Sequence, residues 1–125
     1  MEEARTRLTS HPTSAAAARR FVRDVLNRWR VGEREEPVLL CTDELVTNAI
    51  VHVASSIEVV VLRSADGMIR VEVHDESSRP PLRRLASIDA ESGRGLQLVE
   101  ALSSRWGVAS APTGKAVWFE VLAAS

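Results

Sequence analysis

The stretch DELVTNAIVH, Asp43 to His52, decides how this chain reads. It has the composition of a helix, yet it holds an Asn in mid-turn, a poor helix former whose side chain competes for backbone hydrogen bonds. At about 100° per residue, Val38, Leu39, Thr42, Leu45, Val46, Ala49, Ile50 and Val53 gather on one broad apolar face. Glu44, Asn48 and His52 recur every four residues and drift only about 40° per step. They form a polar stripe beside the buried face, where a helix borders a groove. Glu44 and Asn48 there can share one bound object, such as a metal ion with its waters.

Working outward, this helix covers Glu35 to Val53, with Pro37 tolerated in its first turn. Before it, Ser14 is expected to cap a helix through AAAARRFVRDVLNRW, whose Ala18, Phe21, Val22, Val25, Leu26 and Trp29 recur at helical spacing. Gly32 is expected to break the chain just past that helix. Residues 4–8 read as a short edge strand. After the central helix come strands near Ile57–Arg63 and Ile69–His74, joined at Asp66-Gly67, a hairpin signal. Residues 76–92 are polar and contain prolines, as loops do. A third helix starts near Gly93 and runs through GLQLVEALSSRW, with Gly107 ending it or opening the next strand. A closing pair, about Gly107–Ala111 and Ala116–Leu122, turns at Pro112-Thr113-Gly114. This order argues for an α+β two-layer sandwich: a mixed, mainly antiparallel sheet with about three helices on one face.

At 125 residues the chain fits one domain with one core. A formal net charge of −1 offers no global attraction for nucleic acid or an anionic membrane. No run approaches the roughly 18 apolar residues of a membrane span, and the charged start MEEARTRL lacks the apolar core of a signal peptide. The single Cys41 sits in an apolar helical stretch and reads as a buried, inert thiol. A reducing cytoplasm is the expected compartment. Lys115 is the only lysine among sixteen basic residues.

Two further stretches keep company with the central helix. ESGRGLQLVEAL places Gly93, Arg94, Gly95 and Leu96 at the start of the third helix. Glycines there let backbone N–H groups approach an anion, and a helix N-terminus carries partial positive charge. In IRVEVHD, Ile69, Val71 and Val73 alternate inward and Asp75 follows at the strand end. Such a carboxylate can accept a hydrogen bond from an exocyclic amine like that of adenine. Taken singly, each stretch is better explained by a solvated helix face, a loop-to-helix turn or a turn-initiating Asp.

Together and in this order, they resemble the ATP-binding domain of the GHKL superfamily, the Bergerat fold. Within it the chain looks most like the small anti-sigma-factor serine/threonine kinases of bacterial partner-switching systems. DELVTNAIVH matches their N-box, E-x-x-x-N-A-x-x-H, at Glu44, Asn48, Ala49 and His52; SGRGLQLV matches their glycine-rich second box; GKAVWFEV looks like their closing strand. The resemblance covers about residues 14–122, leaving 1–13 as an N-terminal segment before a domain of 14–125. It implies ATP and Mg²⁺ as ligands, with Asn48 coordinating the metal and Glu44 acting as general base toward an attacking hydroxyl. It further implies Asp75 on the adenine amine, backbone around Gly93, Arg94, Gly95 and Leu96 along the phosphates, and His52 near the phosphate end. The implied partners are an anti-anti-sigma phosphoacceptor, a sigma factor and a second copy in a homodimer; nucleic acid and membrane are not among them.

The chain departs from that family on the adenine side. The box that normally reads D-x-G-x-G is Asp75-Glu76-Ser77-Ser78-Arg79 here, with neither glycine, and a Thr supporting the Asp is expected to be replaced by Ala116. The alternative implied is a degenerate domain that regulates by binding a protein, with weak or no kinase activity. A sensor histidine kinase is disfavoured, because only 13 residues precede Ser14 and no dimerisation helix reads there.

Overall fold

The computed structural model describes residues 2–9, 11–52, 56–75, 93–111 and 114–122. Five strands form a wholly antiparallel sheet, β1 (Glu2–Leu8), β2 (Ile57–Arg63), β3 (Ile69–Asp75), β4 (Arg105–Ala111) and β5 (Gly114–Val121), in the order β1-β2-β3-β5-β4. Among the described residues three helices, α1 (Ser14–Arg28), α2 (Glu35–His52) and α3 (Gly93–Leu102), pack on one face. The fold is therefore the α+β two-layer arrangement expected. Among the described residues no helix is long and apolar enough to cross a membrane.

Strand alternation sets the layers. In β3, Ile69, Val71, Val73 and Asp75 are buried while Arg70, Glu72 and His74 are half-exposed. The antiparallel register puts Val121, Phe119, Val117 and Lys115 of β5 on the same face as those buried residues. Against this face α1 contributes Ala18, Val22, Val25 and Leu26, and α2 contributes Val38, Leu39, Thr42, Leu45, Val46 and Ala49. Burial of these aliphatic side chains, each worth about 1.5–3 kcal/mol, holds the two layers together. Arg19 bridges α1 to Asp43 of α2 at 3.1 Å, and Arg23 reaches Glu35 at 3.5 Å. Both pairs are exposed, so each adds less than about 1 kcal/mol.

Local expectations are corrected at three places. Ser14 is the first helical residue rather than the cap, because its hydroxyl donates to the Thr9 carbonyl and ties α1 to the end of β1. The left-handed residue after α1 is Arg30, with φ of 58°, and Gly32 opens a short 3₁₀ turn leading into α2. Gly107 lies inside β4, where a Cβ would fall 2.8 Å from Cζ2 of Trp118 across the ladder. Glycine is required there by the indole, and α3 has already ended at Leu102.

The helix-free face of the sheet is a charged lattice. Glu120 accepts from Arg70 Nη1 at 2.9 Å and Arg105 Nε at 2.8 Å. Arg70 also donates to Glu72 at 2.7 Å, and His74 Nε2 lies 2.8 Å from the other Glu72 oxygen. The Arg70 guanidinium lies 4.0 Å from the centroid of Trp118, so the indole is covered by a cation.

Candidate functional site

The elements that carry the expected site residues meet at one end of the sheet because α2 and α3 run in opposite directions over it. Just before α2, Arg34 Nη1 donates to the Gly67 carbonyl in the β2–β3 turn, fixing the start of the helix at that end. At its other end, residues 53–56 lead from His52 to Ile57, the ladder partner of Asp75. Five peptide steps reach at most about 18 Å. Glu44, Asn48 and His52 thus climb, one turn at a time, toward the Asp75 end of the sheet.

α3 comes back the other way. Its last residue, Leu102, lies close before Arg105, which pairs with Glu120 far from Asp75. Ser104 N donates to the Glu120 carbonyl at 2.7 Å and locks that junction. Because α3 packs along α2, its N-terminus at Gly93-Arg94-Gly95 heads toward the C-terminal half of α2. A helix of ten residues, about 15 Å long, brings its amide-rich end to the neighbourhood of the stripe. The backbone of His52, Gly93, Arg94, Gly95 and Leu96 is helical; their side chains, and the stretch 76–92 expected to be a loop, lie outside the described residues.

Burial separates the roles on α2. Asn48 is 6% exposed, whereas Glu44 is half-buried one turn earlier. A near-buried carboxamide bordered by a carboxylate is a rim position, as the helical period requires. Cys41, fully buried on the turn before Glu44, has its thiol pushed up to about 11, first by burial and then by the Glu44 charge. It is inert, as its apolar setting predicts.

At the strand end, Asp75 is 6% exposed and faces the helices with Val71 and Val73. The position expected to face it, with a supporting Thr replaced there, was Ala116. The register overturns this: Ala116 pairs with His74 and lies on the helix-free face, while Lys115 stands directly across from Asp75 on the helix-covered face. Lys115 is 4% exposed; the cavity of about 260 Å³ at the ends of the strands touches both residues but is otherwise lined largely from the helix-free face, by Arg7, Glu58, His74, Ala109 and Ala116. Sequence reasoning passed over Lys115. The available signals were its place right after Gly114 and its being the only lysine of the chain.

For a divalent cation, the donor set fits. An Asn oxygen ligates Mg²⁺ without adding negative charge beside phosphates, and Mg²⁺ keeps several waters and takes phosphate oxygens rather than filling an all-protein cage. Asn48 would be the ligand, with the Glu44 carboxylate available to its water shell.

Sheet order, helix stripe and strand-end carboxylate together define an ATPase-type α+β domain rather than an α/β sandwich of parallel strands. The family model described as a histidine kinase-like ATPase domain matches residues 8–121, and the chain belongs to that family. No curated protein matches the chain in sequence. Among solved structures it is similar to the RsbU and RsbW domains of Rv1364c from Mycobacterium tuberculosis, with a TM-score of 0.72 and 20% identity over 98% of this chain and 32% of that one. It is also similar to the SiaB-SiaC complex from Pseudomonas aeruginosa, with a TM-score of 0.63 and 14% identity over 95% of this chain and 89% of that one. The chain thus spans about a third of the first of these, and at such identities the likeness is one of fold.

Proposed function

We propose that residues 14–125 form a Mg-ATP-binding serine/threonine kinase of the anti-sigma type, with the N-terminal segment adding the edge strand β1. It would phosphorylate a serine of an anti-anti-sigma partner and, alternately, sequester a sigma factor. The observation that carries this reading is the pairing of Asn48, almost wholly buried, with half-buried Glu44 one turn before it, on the helix that climbs toward Asp75. Phosphoryl transfer asks a protein mainly for positioning and charge neutralisation. Asn48 would hold the metal, which would supply charge neutralisation at the phosphates, and α3 would lend its N-terminal amides to them. Glu44 takes the proton of the incoming hydroxyl, a contribution of roughly 10²–10⁴-fold. The RsbW-type likeness supports this reading, and the SiaB-SiaC structure supports a protein as partner. The cytoplasm is the matching compartment.

A second reading is favoured by the adenine side. With no glycine after Asp75 and an ammonium-bearing residue across from it, the domain could act as a protein-binding regulator in which nucleotide is structural. Calorimetric titration with ATP, with and without Mg²⁺, tests the first reading. Binding that requires Mg²⁺ and is abolished in Asn48→Ala is the expected result. The two readings then part on Glu44→Ala: loss of phosphate transfer with ATP binding retained supports the kinase. Unchanged regulation of the partner supports the binding module and overturns the kinase.

A further inference from the structure

The sheet has two edges, β1 and β4, and they are built differently. β1 reads EEARTRL, with Glu2, Glu3, Arg5 and Arg7 among its 7 residues, and such charges keep a stray strand from adding to it. β4 reads RWGVASA and is charged only at Arg105. It pairs one-to-one with β5 from Arg105 to Ala111, with no bulge and no proline. Every second residue of an edge strand turns its N–H and C=O outward, and among the described residues nothing pairs with that side of β4. An edge of this kind is a template for an added strand, whose main chain gives affinity and whose alternate side chains give specificity.

The helix-free face beside this edge carries a shelf. Ala109, Ala116, His74 and Glu58 stand in one row across β4, β5, β3 and β2. All four line the cavity of about 260 Å³, so the row is two methyl groups deep before it meets the imidazole. One step along β4 on the same face, at Gly107, the space is taken by the ring of Trp118, which a Cβ would approach to 2.8 Å. One step further, the Arg105 side chain is 69% exposed; its Nε and Nη2 lie against Glu120, and Nη1 is uncommitted among the described residues.

We infer that β4 is a docking edge for an extended segment of another protein, paired antiparallel, with an aromatic residue opposite Ala109 and an acidic residue opposite Arg105. Antiparallel direction puts the acidic residue fourth after the aromatic one. The ring lies on the Ala109 and Ala116 methyls and enters the cavity, and the carboxylate makes a cross-strand pair with Arg105. Of the residues between them, one faces Trp118, and two extend the apolar strip of Trp106 and Val108 on the helix-covered face. A second copy of this chain does not supply that pattern. Its β4 holds no acidic residue in any register, and its β1 holds acids but no aromatic ring. The edge shares no residue with the proposed phosphate side and takes its partner whether or not nucleotide is bound.

The test is NMR titration of the isotope-labelled full chain with the peptide acetyl-Thr-Tyr-Val-Thr-Val-Glu-Thr-amide, followed by amide hydrogen exchange. Saturable binding is expected, with the outward amides of β4 exchanging about tenfold or more slowly and those of β1 unchanged. Replacing Tyr by Ala, or Glu by Lys, in the peptide is expected to weaken binding about tenfold or more. Ala109→Lys, which sets a charge on the exposed edge, is expected to do the same. If Ala109→Lys does not fold, the three peptides on the unaltered protein still decide. No saturable binding at millimolar peptide, binding without slowed exchange in β4, or equal affinity for the three peptides overturns the docking edge. A chain that sediments as a dimer and becomes a monomer in Ala109→Lys overturns it too, because the edge then belongs to a second copy.

Discussion

Glu120→Gln isolates the lattice on the helix-free face. Glu120 is 3% exposed and accepts from two arginines, Arg70 at 2.9 Å and Arg105 at 2.8 Å. Gln keeps the shape, removes the charge and turns an NH₂ donor toward one of the guanidinium groups. Hydrogen bonds to charged groups are worth about 1.5–3 kcal/mol each. Full loss of two would suggest several kcal/mol, but Arg105 is largely exposed and rehydrates, and Arg70 keeps Glu72. A loss of about 2 kcal/mol at pH 7 is expected, a drop in Tm of roughly 8 °C for a chain this size. Burial works against the Glu120 charge, yet the hydrogen bonds from Arg105 and Arg70 outweigh it and hold this carboxyl below the usual range. A lowered folded value means the native state binds fewer protons than the unfolded one, so the stabilisation is fully present above the ordinary value of 4.5. It disappears as pH falls through the folded value. Urea denaturation of both proteins at neutral pH and in acid should therefore show a gap that narrows as the pH falls below 4.5 and closes through the lowered folded value. A variant as stable as the parent at pH 7, or a gap of constant size down to strongly acidic pH, would refute the account.

Gly107→Ala pushes a methyl to within 2.8 Å of the Trp118 ring, which Arg70 covers. Overpacking of about 1–3 kcal/mol exceeds the roughly 0.5–1 kcal/mol that Ala gains over Gly in a strand. A net destabilisation of about 1 kcal/mol by urea titration, relieved in the double variant with Trp118→Leu, is the expected outcome. Cys41, with its thiol near 11 and no exposure, should react with a disulfide reagent at pH 8 at least about 100-fold slower than a free thiol. Reaction at the free-thiol rate before urea unfolds the chain would contradict its burial.

The two sides of the nucleotide site make different demands on the partner-switching reading. On the proposed phosphate side, helix direction alone brings the α2 turns of Glu44 and Asn48 and the start of α3 to one end of the sheet. On the base side Lys115 has entered a position next to Asp75 that no neighbour in sequence reveals.

The sequence by itself determined the elements whose signals are local. The helical period of residues 35–52 fixed which face of α2 is buried and put Glu44 and Asn48 at its rim. Alternation in 57–63 and 69–75 with Gly67 between them, at φ of 87°, set the β2–β3 hairpin. Tertiary structure alone decided what depends on register and direction between distant segments. Whether residue 115 or 116 meets Asp75 turns on a one-residue step in the β3–β5 ladder, and such a step flips every side chain to the other face. Gly107 read as either a helix end or a strand start until β4 began at Arg105 and Trp118 was placed across from it, and only the ladder brings Arg70 and Arg105 onto Glu120 from neighbouring strands. Periodicity is written within one segment, whereas pairing is a property of two; the pocket's chemistry on the base side belongs to the second kind.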